Sequence, residues 1–150
     1  MHRARCSSSV TDPGQNKPEV HRIVLGVDGS ENADRAVEWA AIQADRTGSL
    51  LEIHAAFGPD YVFLVPSEVQ ATTRHWAEKA AELARRVAPQ VRINCVTHEG
   101  SPTPALIEAS TGADLLVVGC RGLGGFRGLL LGSVSQHCTM HAHCPVVVVR

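Results

Sequence analysis

The residues best suited to chemistry lie in a glycine-rich run late in the chain. From Val118 it reads VGCRGLGGFRGLLLGSVS, with glycines at 119, 122, 124, 125, 128 and 132. Glycine lets a backbone bend so that successive N–H groups face inward and approach a bound anion. Ser133 and Ser135 add hydroxyl donors, and Arg121 and Arg127 carry charge that suits a phosphate chain. If a helix begins at Ser133, its free N–H groups and the positive end of its dipole face the same place. The chemistry on offer is phosphate binding. The plain alternative is a surface loop without a ligand, since glycine-rich loops are common.

Two familiar phosphate loops do not fit. The Walker loop requires a lysine between its last glycine and the Ser or Thr. Here Ser133 follows Gly132 directly, and the run holds no lysine. The dinucleotide fingerprint G-x-G-x-x-G follows a first strand. This run lies far downstream, and counting from Gly122 the place of the third glycine is taken by Arg127.

Other reactive residues carry less. Asp28, ahead of Gly29 and Ser30, is the one carboxylate expected at the same site. It would steady a ribose or orient a Mg²⁺ through water; the alternative is a turn-forming Asp before glycine. His137 and His141 are four apart, so a helix sets them on one face as a zinc pair requires. No second pair stands at a matching spacing, and no metal site is expected. Cys138 and Cys144 read as small buried residues. His54 has no nucleophile or acid beside it in sequence and reads as a sheet residue, not a general base.

The elements that must hold these residues alternate along the chain. Ile23, Val24, Leu25 and Val27 form a short branched apolar run, as in a strand buried on both faces. Ser30 is a helix N-cap, and Ala33, Ala36, Val37, Ala40, Ala41 and Ala44 make one helical face that Gly48 ends. Leu50 to Phe57 is a second strand, and Gly58 to Pro66 a loop in which Tyr61 and Phe63 partly cover the site. A helix follows to about Ala88, with Trp76, Ala80, Leu83, Ala84 and Val87 facing the core. Val91, Ile93 and Cys95 alternate with polar residues, as in an edge strand. Thr103 and Pro104 read as N-cap and first residue of a short helix that Gly112 closes. Leu115 to Val118 is a fourth strand, a helix starts near Ser133, and Val146 to Val149 is a fifth strand.

Strands alternating with helices imply one α/β doubly wound domain, a five-stranded parallel sheet with four helices on both faces. Ligands bind such sheets beyond the carboxyl ends of the strands, where the strand order reverses. Spacing alone leaves that order open. If the first and fourth strands are neighbours, the order is 3-2-1-4-5 and Asp28 shares a crevice with the glycine run. Residues 1–20 mix Ser, Pro, Gly and charge and are expected to be a disordered arm, leaving 21–150 as the domain.

Composition excludes several function classes. A formal net charge of −1 gives no electrostatic case for nucleic acid or an anionic membrane. No apolar run reaches membrane-spanning length, and no secretory signal is expected at the start. The five cysteines are odd in number and scattered, which suits reduced thiols in a cytoplasm.

Gly119-x-x-Gly122, nine residues, then Gly132-Ser133 resembles the G-x2-G-x9-G-(S/T) ATP-binding pattern of the universal stress protein family. IVLGVDGS ahead of an alanine-rich helix and the closing CPVVVVR are similar to that family too, so the likeness covers Arg22 to Arg150. The resemblance implies ATP as ligand, with Mg²⁺ as companion, and cyclic AMP as the alternative nucleotide. It implies that Gly26, Val27 and Asp28 meet adenine and ribose, and that Ala55 forms an adenine wall. Val118, Gly119, Arg121 and Gly122 would follow ribose and phosphates, and Gly132, Ser133, Val134 and Ser135 would bind phosphate. Cys120 stands where the family often has Ser. The resemblance also implies a homodimer built around the fifth strand, which an unpaired apolar edge favours. The expected role is a nucleotide-dependent regulatory module in a stress response. No general base and no arginine-and-carboxylate set for phosphoryl transfer stands out, so no catalytic residue is assigned and at most slow ATP hydrolysis is expected. Valine at Gly122 or Gly132 is expected to abolish binding and leave the fold.

Overall fold

Residues Arg22–Val27 form β1, and only the ladder of a parallel sheet explains so apolar a run: Val24 and Leu25 are fully buried, on opposite faces. The computed structural model describes residues 21–57, 66–124 and 128–150. The expected arm 1–20, the loop residues Tyr61 and Phe63, and Gly125 and Arg127 lie outside them.

Ser30 starts α1 (Glu31–Thr47). Its backbone is extended and its hydroxyl accepts the Ala33 N–H at 3.2 Å. Gly48, at φ 66, closes the helix in the left-handed conformation that favours glycine. The alanine face is buried as the spacing requires. β2 (Leu50–Phe57) follows, then α2 (Pro66–Val87), which buries Thr73, Ala77, Ala80, Ala81 and Ala84. Val87, expected on that face, is instead exposed.

β3 (Arg92–Glu99) pairs only with β2 and is an edge strand, as expected. Its Cys95 is exposed, with Sγ 3.8 Å from the Ala77 carbonyl of α2. α3 (Pro102–Ala109) corrects the expected start. Ser101 is the N-cap and Pro102 the first helical residue, two positions before Thr103 and Pro104. Its C-cap is Ser110, while Gly112, at φ 70, forms the turn beyond. β4 (Leu115–Gly119), α4 (Ser133–His141) and β5 (Val146–Val149) complete the described elements.

All strand pairs are parallel, in the order β3-β2-β1-β4-β5. This is the doubly wound arrangement expected. Strand parity divides the core: Leu25, Ile53, Ala55 and Val117 pack under α1 and α2, while Val24, Leu116 and Val118 pack under α3 and α4 with Leu106 and Cys138. The order reverses between β1 and β4, so α1 and α4 leave on opposite faces and the strand ends part between them. No described helix is long and apolar enough to cross a membrane.

Candidate functional site

At that parting lies a cleft of about 520 Å³, a size that suits a small organic ligand. Gly26, Val27 and Asp28 enter it from the end of β1. Val118, Gly119, Arg121 and Gly122 enter from the end of β4, and Gly132, Ser133, Val134 and Ser135 from the start of α4. Of the site residues implied by the family resemblance, the structure gathers all except Ala55. That side chain is fully buried in the core beneath α1 and α2, because odd-numbered residues of β2 face that way. The even-numbered His54 and Ala56 line the cleft in its place.

Three helices aim their N-termini at the cleft. Ser30 opens α1, Ser101 opens α3, and Gly132 opens α4; Ser30 and Ser101 line the cavity alongside Gly132. Neither Ser101 nor Gly132 makes a side-chain cap hydrogen bond, so the first-turn N–H groups of α3 and α4 have no side-chain cap. Such termini carry partial positive charge.

Asp28 is the only carboxylate among the described lining residues. One oxygen accepts the Ser30 N–H at 3.0 Å, an Asx turn. The other accepts the Leu123 N–H at 2.9 Å. Asp28 thus ties the loop after β1 to the glycine loop after β4. A Cβ on Gly122 would collide with Asp28 Oδ2. Valine at Gly122 therefore strikes this tie before it reaches any ligand. A Cβ on Gly132 comes no nearer than 3.4 Å, to Arg121 Cα, and can be accommodated.

Ser135 is buried and donates its hydroxyl to the carbonyls of Gly119 and Cys120, at 2.7 and 3.3 Å. It pins α4 to the end of β4, so its hydroxyl serves the scaffold. Ser133 is exposed at the helix start. Cys120 acts through its backbone: its N–H donates to Val149 O and its carbonyl accepts the Gly132 N–H, both at 2.7 Å. Its side chain is buried.

The opposite wall was not legible beforehand. His98, Ser101, Pro102, Thr103 and Leu106 line it, with Trp76 at the rim. Trp76 stacks on Phe57 with ring centroids 5.3 Å apart, and a Cβ on Gly29, whose φ is 80, would meet its indole Nε1. The His54 and His98 ring centroids are 4.9 Å apart with the ring planes 16° apart, and His54 Nδ1 lies 2.7 Å from His98 Nε2. Among the described residues, His54 Nε2 is buried without a hydrogen-bond partner, and Glu52 Oε2 is 3.5 Å away. Burial holds the His54 imidazole below its ordinary pKa, against the pull of Glu52. Burial also raises Glu52, but the hydrogen bond and charge of Arg22, with His54 and Asn94, outweigh it and hold that carboxyl below the usual range. Arg22 reaches Glu52 at 2.5 Å.

The sequence and the fold each lead to the same relatives. The universal stress protein family model matches residues 19–150. A universal stress protein of Thermus aquaticus is 39% identical over 134 residues, covering 85% of this chain and 97% of the relative. A Mycobacterium tuberculosis universal stress protein is 36% identical over 139 residues, covering 85% of this chain but 47% of the relative. The chain thus spans nearly all of the first and about half the length of the second. Among solved structures, a universal stress protein crystallised with cAMP superimposes with a TM-score of 0.70 at 30% identity, over 87% of this chain and 97% of that one. With a family match across the whole described fold, the chain belongs to the universal stress protein family.

Proposed function

We propose that the cleft binds an adenine nucleotide, ATP with Mg²⁺, and that the protein is a nucleotide-dependent regulatory module of a stress response. One observation carries this reading. Three helix N-termini and a glycine loop converge on one cleft whose only carboxylate among the described residues already accepts two backbone N–H groups. Such a site is short of negative charge and rich in donors, which suits a phosphate chain. Gly119, Arg121, Gly122, Gly132, Ser133 and Val134 would hold the phosphates. Gly26, Val27 and Val118 would flank sugar and base. The cAMP-bound relative supports an adenine ligand.

Mg²⁺ fits as a companion of the phosphates. No cluster of three ligating side chains occurs among the described residues, and Mg²⁺ bound to nucleotides keeps several waters with one carboxylate nearby. Asp28 would be that carboxylate. Among the described residues the half-exposed β5 edge is unpaired on its outer side, and we assign it to a homodimer. Free Cys95, Cys120, Cys138 and Cys144 suit a reducing cytoplasm.

Equilibrium dialysis with labelled ATP, competed by cAMP, tests the reading. ATP should be retained intact, and cAMP should displace it only at excess. Absence of retention contradicts nucleotide binding. Multiple turnovers would make the protein an ATPase instead.

A further inference from the structure

The two imidazoles on the far wall do a job that the glycine loop cannot. β3 lies three strand spacings from β4, about 14 Å at about 4.8 Å each. A ligand with phosphates at the loop therefore has room for a sugar before its far end reaches His98. This placement rests on the nucleotide reading above.

The proton positions follow from the neighbours. A lone pair on His54 Nε2 would face the Glu52 carboxylate at 3.5 Å, so the tautomer with hydrogen on Nε2 is favoured. His54 Nδ1 is then a lone pair, and the 2.7 Å contact needs its hydrogen from His98 Nε2. That leaves Nδ1 of neutral His98 as an acceptor, with no protein partner among the described hydrogen bonds. We infer that His98, its tautomer set by Glu52 through His54, reads the base: it accepts from an exocyclic amino group and disfavours a carbonyl at the same position. Adenine presents such an amino group, and a 6-oxo purine presents an acceptor.

Among the described residues, few charged groups surround the pair. Glu52 shares the strand, and Arg22 from β1 is bonded to Glu52. The first turn of α3, Pro102-Thr103-Pro104-Ala105, has no charge, and Asp28 and Arg121 stand at the loop end. α2 packs on the other face of β3, through Cys95 and Glu99.

Two measurements test this on the full chain. The first compares affinities for ATP and inosine triphosphate, which carries a 6-oxo group in place of the 6-amino group and a hydrogen on N1. Wild type should prefer ATP by roughly tenfold near pH 8, as one well-placed hydrogen bond against a mismatch allows. His98→Leu, half-buried on an edge strand, should fold normally and show a small ratio. A wild-type ratio near one, or one unchanged in His98→Leu, overturns the inference while nucleotide binding stands. Failure of both nucleotides to bind overturns the parent reading and the inference with it. The second measurement needs no ligand: side-chain ¹⁵N NMR should find His98 protonated at Nε2 in wild type, and a tautomer mixture in His54→Leu. A wild-type His98 protonated at Nδ1 overturns the inference.

Discussion

On one side of the sheet the helices are 17 and 22 residues long and meet the strands through alanine; on the other they are 8 and 9 residues long. The first side buries a cluster of nineteen described residues, the second a cluster of five. Alanine lets α1 and α2 sit close to the strands, so that side packs densely. The short helices α3 and α4 instead begin at the mouth of the parting between β1 and β4. Their uncapped first turns face the cleft rather than the core. The comparison teaches where each property resides: stability in the alanine-packed side, ligand chemistry at the edge of the thinner one.

The comparison can be broken most directly by two leucines. Leu25 is wholly enclosed under α1 and α2, whereas Leu106 is buried but borders the cleft. Leu25→Ala should cost about 2–5 kcal/mol in urea unfolding, and Leu106→Ala less, because a void beside a cleft can fill or collapse. An equal or greater loss at Leu106 would refute the contrast.

Next in size is Ser135→Ala. It removes a buried donor from two carbonyls and should cost about 1–2 kcal/mol by chemical unfolding. Acidification has a smaller, graded effect. His54 has a folded pKa below its ordinary 6.5, so the unfolded chain binds more protons just below that pH. The stability from keeping it neutral is complete above 6.5 and declines as pH falls towards the folded value. Glu52, held below its ordinary 4.5, adds a second decline as pH drops beneath that value. The melting temperature should therefore fall in two stages, and His54→Leu should flatten the first. The smallest effect is chemical: burial pushes the Cys138 thiol up to about 11, so native alkylation near neutral pH should label exposed Cys95 well before Cys138.

The same two sides explain what could be read from sequence. Helical spacing of alanines and the short apolar strands are local patterns, so the α/β alternation was visible residue by residue. Glycines 119, 122 and 132 were visible because one loop carries them all. The histidine wall depends on register: His54 pairs with Val96 and His98 with Ala56, and that stagger brings the two rings within hydrogen-bonding reach. No spacing within one strand encodes it. Ala55 was placed in the cleft by resemblance, and strand parity moves its side chain to the core. The start of α3 was ambiguous because Ser101-Pro102 and Thr103-Pro104 are equivalent cap signals two residues apart.

The central claim, that phosphates sit between the glycine loop and the start of α4, is tested most directly at Gly132. Its backbone, at φ −73 and ψ 165, suits an ordinary residue, and a Cβ there meets nothing nearer than 3.4 Å. Titration calorimetry of MgATP into wild type and Gly132→Val, with melting temperatures alongside, gives the answer. The account predicts one ATP per wild-type chain, at least about tenfold weaker binding in the variant, and a stability loss of about 1 kcal/mol or less. Undiminished binding by Gly132→Val would contradict it.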